Sequence, residues 1–292
     1  MQINNAKQAV STVVEPPPEA SVPPAADSAR PFLKWPGGKR WLLPALTSLR
    51  PPKFERYHEV CLGGGAQFFG LRSSGFAGPG FLYDFNAELI RTYAAVKRSP
   101  AAVIQGFAIH AACHCKPYFL EVRGLAPADL TDEAVAARML YLNRAGFNGL
   151  YRVNRQGQAN IPWGERGSVS IGKQNVLNAS SALRNARLIQ GDFGNVLDFA
   201  RAGDFVFLDP PYPDGFTAYT SMGFGASDHH RLHDVCCELN RRNVAFVQSN
   251  ADCPFVRQLY GDFHIVGLSA HRNINRKGDG RGPVGEVVIM NY

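Results

Sequence analysis

The chain of 292 residues is long enough for one large domain, or for one domain that carries an insertion. Its residues are 45% hydrophobic, yet no apolar run approaches the length of a membrane-spanning helix, and the N-terminus lacks a charged-then-apolar signal pattern. Six cysteines without regular spacing do not predict a disulfide framework. These features argue against a membrane protein and a disulfide scaffold, and we expect a cytoplasmic protein.

The net charge of +7 is concentrated in one part of the chain. From Arg138 to Arg187 there are eight basic residues and one acid, Glu165, whereas the remainder holds 23 residues of each sign. An excess confined in this way favours a polyanion-binding surface, although a solvated arginine-rich face would give the same count. The basic residues are Arg138, Arg144, Arg152, Arg155, Arg166, Lys173, Arg184 and Arg187.

Residues 1–30 are rich in proline and alanine and show no periodicity, which predicts a disordered tail. Residues 32–40, Phe-Leu-Lys-Trp-Pro-Gly-Gly-Lys-Arg, place glycines beside Lys34 and Lys39. The Walker spacing is absent, so the segment does not predict a nucleotide hydrolase. A simple glycine turn before a helix that begins near Trp41 would also explain it.

A strand predicted at 57–62 runs directly into Gly63-Gly64-Gly65, and a helix is predicted from Ala66. A strand, a glycine-rich turn and a helix N-terminus together let the backbone approach a ligand closely. A second strand, 81–84, ends in Asp84 about twenty residues later, where a carboxylate can accept hydrogen bonds from ribose hydroxyls. We therefore expect a cofactor site at Gly63, Gly65 and Asp84.

Residues 87–140 have the spacing of helices. Within them His110, Cys113, His114 and Cys115 could be zinc ligands, but no second cluster with zinc spacing follows, and we expect no metal site.

The Arg/Asn segment, residues 140–164, is rich in arginine, asparagine, glycine and aromatic residues and contains almost no acid. Such side chains suit base edges and phosphates, and its aromatic rings can stack on bases or wedge between them. An ordinary surface hairpin is the alternative. The candidate DNA-binding residues here are Arg144, Asn148, Arg152, Asn154 and Asn160.

Two later strands end in acidic motifs. The strand 187–190 precedes Gly191-Asp192-Phe193, in which an acid and an aromatic ring could hold an adenine. The apolar strand 204–208 ends at Asp209-Pro210-Pro211-Tyr212, because neither proline can donate a ladder hydrogen bond. A carboxylate, an exposed carbonyl and an aromatic face at the carboxyl end of a strand suit a planar base with an exocyclic amino group.

The rest of the chain predicts a helix at 228–242 and strands at 244–248, 263–268 and 284–290. Between the last two strands, the polar loop that begins at His271 contains Arg272 and several other basic residues. We expect this loop near DNA, although a merely flexible hairpin is the competing interpretation.

These motifs together resemble the Dam-like DNA adenine N6-methyltransferases, of the alpha group and D12 class, from about residue 31 to the end. The resemblance implies S-adenosylmethionine as cofactor, double-stranded DNA as partner and no metal. By this resemblance the candidate site residues have three roles. The expected catalytic residues are Asp209, Pro210, Pro211 and Tyr212. The expected cofactor-binding residues are Trp35, Lys39, Gly63, Gly65, Asp84, Asp192 and Asp209. The expected DNA-binding residues are Lys34, Arg144, Asn148, Arg152, Asn154, Asn160 and Arg272.

Phe216-Thr217-Ala218-Tyr219 also matches a family segment that flanks the target pocket. Two features depart from the family pattern. Val60 stands where relatives usually have proline, and Glu165-Arg166 replaces a basic-aromatic pair, so the recognition sequence does not transfer.

The fold expected is α/β: a Rossmann-like methyltransferase sheet of seven strands with one late antiparallel hairpin, and an inserted, mostly helical recognition domain. The expected divisions are a tail at 1–30, a catalytic domain at 31–95 and 185–292, and a target-recognition domain at 96–184. We expect a monomer with no membrane partner, and a cognate restriction endonuclease remains an open question. An RNA or protein-glutamine methyltransferase and an inactive DNA-binding regulator are the competing functions.

Overall fold

The computed structural model describes residues 28–38, 42–154, 156–213, 224–270 and 284–292. Short runs of branched and aromatic residues form its strands, as expected for positions buried on both faces of a sheet. The strands are β1 (Tyr57–Val60), β2 (Gly80–Asp84), β3 (Ala186–Gln190), β4 (Phe205–Leu208), β5 (Ala245–Ala251), β6 (His264–Ala270) and β7 (Val284–Met290).

In the described residues these strands form one seven-stranded sheet in the order β3-β2-β1-β4-β5-β7-β6. The first five positions are parallel, whereas β7 lies antiparallel between β5 and β6. The predicted sheet with one late antiparallel hairpin is therefore confirmed. Three predicted strand ends were wrong. β1 ends at Val60 instead of residue 62, and β6 continues to Ala270 instead of residue 268. β5 continues to Ala251, so Ser249 and Asn250 belong to the strand instead of following it.

The helices that cover the sheet follow the predicted positions with small shifts. The first begins at Leu43 rather than near Trp41, and the helical range 87–140 is divided among several helices. They are α1 (Leu43–Leu49), α2 (Ala66–Ser73), α3 (Ala87–Arg98), α4 (Pro100–Ala112), α5 (Lys116–Gly124), α6 (Asp132–Ala145), α7 (Lys173–Leu183), α8 (Ala226–Arg241) and α9 (Pro254–Leu259). No helix in the described ranges is long and apolar enough to cross a membrane.

Two hydrophobic clusters cover the two faces of the sheet. One contains Val206, Leu239 and Phe246, from β4, α8 and β5. The other joins Phe207 of β4 to buried residues of α2, α3, α4, α5, α6 and α7. The expected boundary at residue 95 lies inside α3, and the helices on either side of it share this core. The division into domains stays a prediction.

Local capping fixes the helices that begin beside the carboxyl edge of the sheet. Asn86 caps α3, because its side chain accepts a hydrogen bond from the Leu89 amide at 3.0 Å. Gly65, which precedes α2, has no side chain for this purpose. The buried Glu59 of β1 lies near the amides of Gln67 and Phe68 in the first turn of α2, which favour its charged form.

Candidate active site

The turn after β1 brings backbone into a position where a side chain would not fit. Gly63 and Gly65 have φ angles of +50° and +66°, which favour glycine. A Cβ on Gly63 would lie 2.6 Å from Cδ1 of Trp35. The indole edge therefore packs directly on the glycine backbone, and two of the predicted cofactor residues, Trp35 and Gly63, are in contact.

Asp84, at the end of β2, accepts hydrogen bonds from two backbone amides, one in this turn and one just after β2. Its Oδ2 accepts from the Gly63 amide at 3.0 Å, and its Oδ1 accepts from the Asn86 amide at 2.9 Å. Burial raises the pKa of Asp84, and the two backbone hydrogen bonds act in the opposite direction. The carboxylate is thus fixed beside the glycine turn, as expected from a glycine triplet after one strand and Asp84 at the end of the next.

Three of the predicted site carboxylates lie near Cys61 at the carboxyl edge of the sheet. Cys61, the first residue after β1, has a left-handed backbone conformation with φ of 61°. Burial raises the pKa of its thiol, and the nearby charges of Asp84, Asp209 and Asp192 raise it further. These acids come from different strands and meet because parallel strands end at the same edge. A cleft with this charge favours a cationic ligand.

Asp209 follows β4 and is held by the two neighbouring strands. Its amide donates to the Val60 carbonyl at 3.2 Å, and its Oδ1 accepts a hydrogen bond from Ser249 Oγ at 2.7 Å. Ser249 is buried on β5, and the sequence analysis did not identify it. Pro210 is buried, whereas Pro211 and Tyr212 are half-buried.

Asp192 occupies a more exposed position. Its Oδ1 caps the short helical turn Phe193–Asp198 by accepting from the Gly194 amide at 2.9 Å. The same oxygen accepts from Arg231 Nη2 at 2.8 Å, and the guanidinium lies 4.7 Å from the Phe193 ring centroid. Arg231 is a second neighbour of the site that sequence patterns did not reveal.

Phe85 is a third such residue. It is 48% exposed although it is large and apolar, and it follows Asp84 directly. An exposed aromatic side chain beside a fixed carboxylate offers a flat surface for a ring system.

The Arg/Asn segment packs against residues that precede the first strand. Asn143, buried at the end of α6, exchanges two hydrogen bonds with the backbone of Lys34, at 2.9 and 2.7 Å. Its amide also donates to the Gly149 carbonyl at 2.9 Å. A Cβ on Gly149 would lie 2.8 Å from Lys34 Cδ, so the exposed Lys34 side chain lies against this segment. The structure thereby brings together two predicted DNA-binding regions.

Within the segment, Val153 and Ala159 form an antiparallel bridge beside Asn154. Its Oδ1 accepts from the amides of Gln156 and Gln158, so this side chain shapes the turn. Arg152 is half-buried, and its carbonyl accepts from the Asn160 amide at 2.9 Å. No described residue pairs with the Arg152 guanidinium. Asn160 is exposed.

Asn148 and Phe147 form the exposed tip beside the end of α6. Asn148 has a φ angle of 55°, and its side chain faces solvent. Phe147 is 47% exposed, and its amide is fixed to the Pro162 carbonyl at 2.9 Å. The sequence analysis noted aromatic residues in this segment but did not single out Phe147, whose exposure only the structure reveals.

Two of the eight basic residues do not lie on an open surface. Arg138 is buried and pairs with Glu88 at 2.6 Å, so counting it in a polyanion-binding surface was wrong. Its counter-charge comes from α3, outside the basic segment. Arg144 is half-buried and donates to the Phe32 carbonyl at 3.0 Å, and burial lowers its pKa.

The histidines that suggested zinc make other contacts. His114 Nε2 lies 3.0 Å from the Arg166 carbonyl and must donate to it, so Nδ1 accepts from the Tyr141 hydroxyl at 3.0 Å. Within the described ranges no three His, Cys, Asp or Glu side chains are placed to hold a metal ion. Lys39, Arg272 and the Phe216–Tyr219 segment lie outside the described residues.

The strand order with an antiparallel β7, together with the glycine turn and the acids at the carboxyl edge, is that of a Rossmann-like methyltransferase. A family model described as D12 class N6 adenine-specific DNA methyltransferase matches residues 35–274. The chain belongs to this family of S-adenosylmethionine-dependent enzymes, whose reaction is the N6-methylation of adenine in DNA.

Curated relatives agree along nearly the whole length. Type II methyltransferase M1.LlaDCHI of Lactococcus lactis subsp. cremoris is 36% identical, with 90% of this chain and 95% of that protein covered. Type II methyltransferase M.MjaIII of Methanocaldococcus jannaschii is 32% identical, with 90% and 99% covered. The DNA adenine methylase of Vibrio cholerae serotype O1 is 29% identical, with 89% and 95% covered.

Proposed function

We propose that this protein transfers a methyl group from S-adenosylmethionine to the N6 atom of an adenine that is flipped out of duplex DNA at a specific sequence. The observation that carries the proposal is that Asp209, Asp84 and Asp192 lie at or just after the ends of three parallel strands of one sheet, where Asp209 is bonded to Val60 and Asp84 to Gly63. One carboxylate is thereby available to the acceptor while the others remain available to the donor.

The residues present fit S-adenosylmethionine. Asp84, fixed beside the glycine turn, can accept hydrogen bonds from ribose hydroxyls. The exposed ring of Phe85 offers a flat face next to Asp84, and Trp35 packs on Gly63 beside it. The bound cofactor supplies an electrophilic methyl group on a sulfonium, and the acids at this edge favour its positive charge.

The residues at the end of β4 act on the acceptor. Adenine's exocyclic nitrogen is a poor nucleophile because its lone pair is delocalised into the ring. If Asp209 and the Pro210 carbonyl each accept one of its N–H bonds, the nitrogen can pyramidalise and direct its lone pair out of the ring plane. Ser249 fixes the Asp209 carboxylate in advance, so the catalytic contribution is positioning and electrostatic stabilisation.

A base inside a duplex cannot reach this cleft, so the target must leave the stack. Tyr212, half-buried three residues after Asp209, can stack on the flipped base. Phe147 is exposed at the tip of the Arg/Asn segment, where it can wedge between base pairs and lower the cost of opening.

DNA contacts are assigned to Lys34, Asn148 and Asn160, which are exposed, and to the half-buried Arg152. Arg144 and Asn154 have structural contacts instead, with the Phe32 carbonyl and with the amide of Gln156. Arg152 is the base-contacting candidate, since no described residue pairs with its guanidinium.

Residues 96–184 form the target-recognition part of the enzyme. The protein acts as a monomer in the cytoplasm, and a cognate restriction endonuclease would recognise the same sequence.

The test is to supply labelled S-adenosylmethionine together with duplex DNA, RNA and protein acceptors, and to use Asp209→Ala as the inactive control. We expect label in adenine N6 of duplex DNA only. Label in RNA or protein would favour the competing methyltransferase functions. No transfer, despite binding of donor and DNA, would favour an inactive regulator. Methylation-aware sequencing of DNA from cells that express the protein then identifies the recognition sequence.

A further inference from the structure

Arg231 of α8 contacts the turn that follows β3 through three separate groups. Its Nη2 donates to Asp192 Oδ1 at 2.8 Å, and its Nη1 donates to Asp228 Oδ1 at 3.1 Å. The guanidinium carbon lies 4.7 Å from the centroid of the Phe193 ring. The side chain is 54% exposed, yet these contacts hold its guanidinium in place.

Both carboxylates that Arg231 joins are also bonded to the backbone. Asp192 Oδ1 accepts from the Gly194 amide at 2.9 Å. Asp228 Oδ2 accepts from the Gly225 amide at 2.9 Å, at the start of α8. Arg231 therefore connects α8 to the turn after β3 through two carboxylates whose rotation is restricted.

The turn that carries Asp192 is attached to the donor side of the sheet. The Gly191 amide donates to the Asp84 carbonyl at 3.0 Å. The carboxylate of that same Asp84 accepts from the Gly63 amide in the glycine turn. A ribose bound at Asp84 therefore has its base within reach of the turn that carries Asp192.

The contacts of Asp192 leave one of its oxygens for a ligand. Oδ1 accepts from two donors, whereas none of the described residues donates to Oδ2. A carboxylate accepts hydrogen bonds and donates none. A 6-aminopurine offers it an N–H group, but a 6-oxopurine has a carbonyl oxygen at that position and carries its N–H on N1. A carboxylate fixed toward the amino group therefore opposes a 6-oxopurine, whereas one that can rotate is able to accept from N1–H.

We infer that Arg231 is a positioning residue that acts through Asp192 and makes the donor site select a 6-aminopurine over a 6-oxopurine. By holding Oδ1, Arg231 keeps Oδ2 in the orientation that the amino group of the donor's base needs. Without Arg231 the Asp192 carboxylate can rotate, and it then accepts from N1–H of a 6-oxopurine as well. The inference rests on the proposed function, because it concerns the base of the methyl donor.

The alternative is that Arg231 only joins α8 to the turn after β3. An exposed ion pair contributes little to stability, so Arg231→Ala should unfold at nearly the temperature of the parent. A change in base selection by this variant then does not come from unfolding. Arg241→Ala is the matched control, since Arg241 is an exposed arginine of the same helix and pairs with Glu238 at 2.6 Å. Asp192→Ala removes the acceptor itself.

The experiment measures, by calorimetric titration, the affinities for S-adenosylhomocysteine and for S-inosylhomocysteine, its 6-oxo counterpart. In the parent we expect S-adenosylhomocysteine to bind at least about tenfold more tightly, since the 6-oxo base leaves a charged acceptor unpaired. Arg231→Ala and Asp192→Ala should each reduce this ratio to about threefold or less. Arg241→Ala should keep the ratio of the parent.

Equal affinities in the parent, an Arg231→Ala variant that keeps the ratio of the parent, or an Arg241→Ala variant that loses it equally would each overturn the inference. Methyl transfer from S-adenosylmethionine to duplex DNA by the parent is measured in parallel. A parent that methylates adenine and gives one of these results contradicts the inference alone. A parent that binds S-adenosylhomocysteine but transfers no methyl group contradicts the proposed function itself, so the two failures are distinguishable.

Discussion

Ser249 Oγ donates a hydrogen bond of 2.7 Å to the Asp209 carboxylate, across the boundary between β5 and β4. Both side chains lie at the carboxyl edge of the sheet, and Ser249 is fully buried. A buried hydroxyl that donates to a carboxylate restricts the rotation of that carboxylate. Ser249 thereby prepares Asp209 for the acceptor amino group.

Asp209→Ala is expected to abolish methyl transfer while donor binding is retained, because this carboxylate acts on the acceptor. A positioned group of this kind is worth ~10²-fold or more in rate. Transfer within about tenfold of the parent by Asp209→Ala contradicts the assignment.

Ser249→Ala should lower kcat by about tenfold and leave the KM for the donor unchanged, since a hydrogen bond to a charged group is worth ~1.5–3 kcal/mol. Ser180→Ala, which removes a hydroxyl bonded to the Lys97 carbonyl, is the control.

Asp84→Ala should weaken donor binding and have little effect on DNA affinity in the absence of donor. The carboxylate that organises the glycine turn and faces the ribose is lost, so we expect the Kd for S-adenosylmethionine to rise at least about tenfold. Calorimetric titration measures this directly, and Asp209→Asn serves as the comparison with intact donor binding. An unchanged Kd would place the ribose contact elsewhere.

Arg152→Ala should impair discrimination between sequences more than general affinity for DNA. The loss of a bidentate contact to guanine costs ~1–3 kcal/mol at one base pair, whereas the loss of a phosphate contact weakens binding to all sequences. Parent and variant are compared on the cognate duplex and on duplexes altered one base at a time, with Arg184→Ala as a control in an exposed arginine. Equal losses on every duplex, with a salt slope flatter by about one unit, would instead identify Arg152 as a phosphate contact.

Phe147→Ala should reduce base opening, because it removes the exposed ring at the tip of the Arg/Asn segment. Contact between an aromatic ring and bases is worth ~1–3 kcal/mol, so cognate affinity should fall about tenfold. Fluorescence of 2-aminopurine at the target position reports the opening, and Phe147→Trp should restore it. A fluorescence change in Phe147→Ala equal to that of the parent would exclude the wedge.

Glu59→Gln should change how stability depends on pH. Burial raises the pKa of Glu59 to about 8, against ~4.3 for a free glutamate side chain. Between these values the folded protein holds a proton that the unfolded chain releases. The free energy of unfolding therefore loses ~1.4 kcal/mol per pH unit from this group as pH rises. The glutamine variant lacks this slope, so its stability relative to the parent should increase from pH 5 to pH 8. Parallel pH profiles in denaturant titrations would show that Glu59 does not titrate in this range.

Local sequence determined the parts of this protein whose physical causes are local. The apolar run Phe205–Leu208 before two prolines defines a strand that ends at Asp209, and a glycine triplet after another strand defines a cofactor turn. Parallel strands end at one edge of a sheet, so the meeting of Asp84, Asp192 and Asp209 followed from the motif positions.

Tertiary structure alone decided which side chains support that site, because the partners are far apart in the chain. Ser249 lies 40 residues after Asp209, and Arg138 lies 50 residues after the Glu88 that neutralises it. Charge counting along the sequence therefore placed Arg138 on a DNA-binding surface, whereas the fold buries it against a carboxylate of another helix. The stacking of Tyr151 on Trp35 is of the same kind, since no periodicity or motif spacing encodes a contact between two segments that only the folded core brings together.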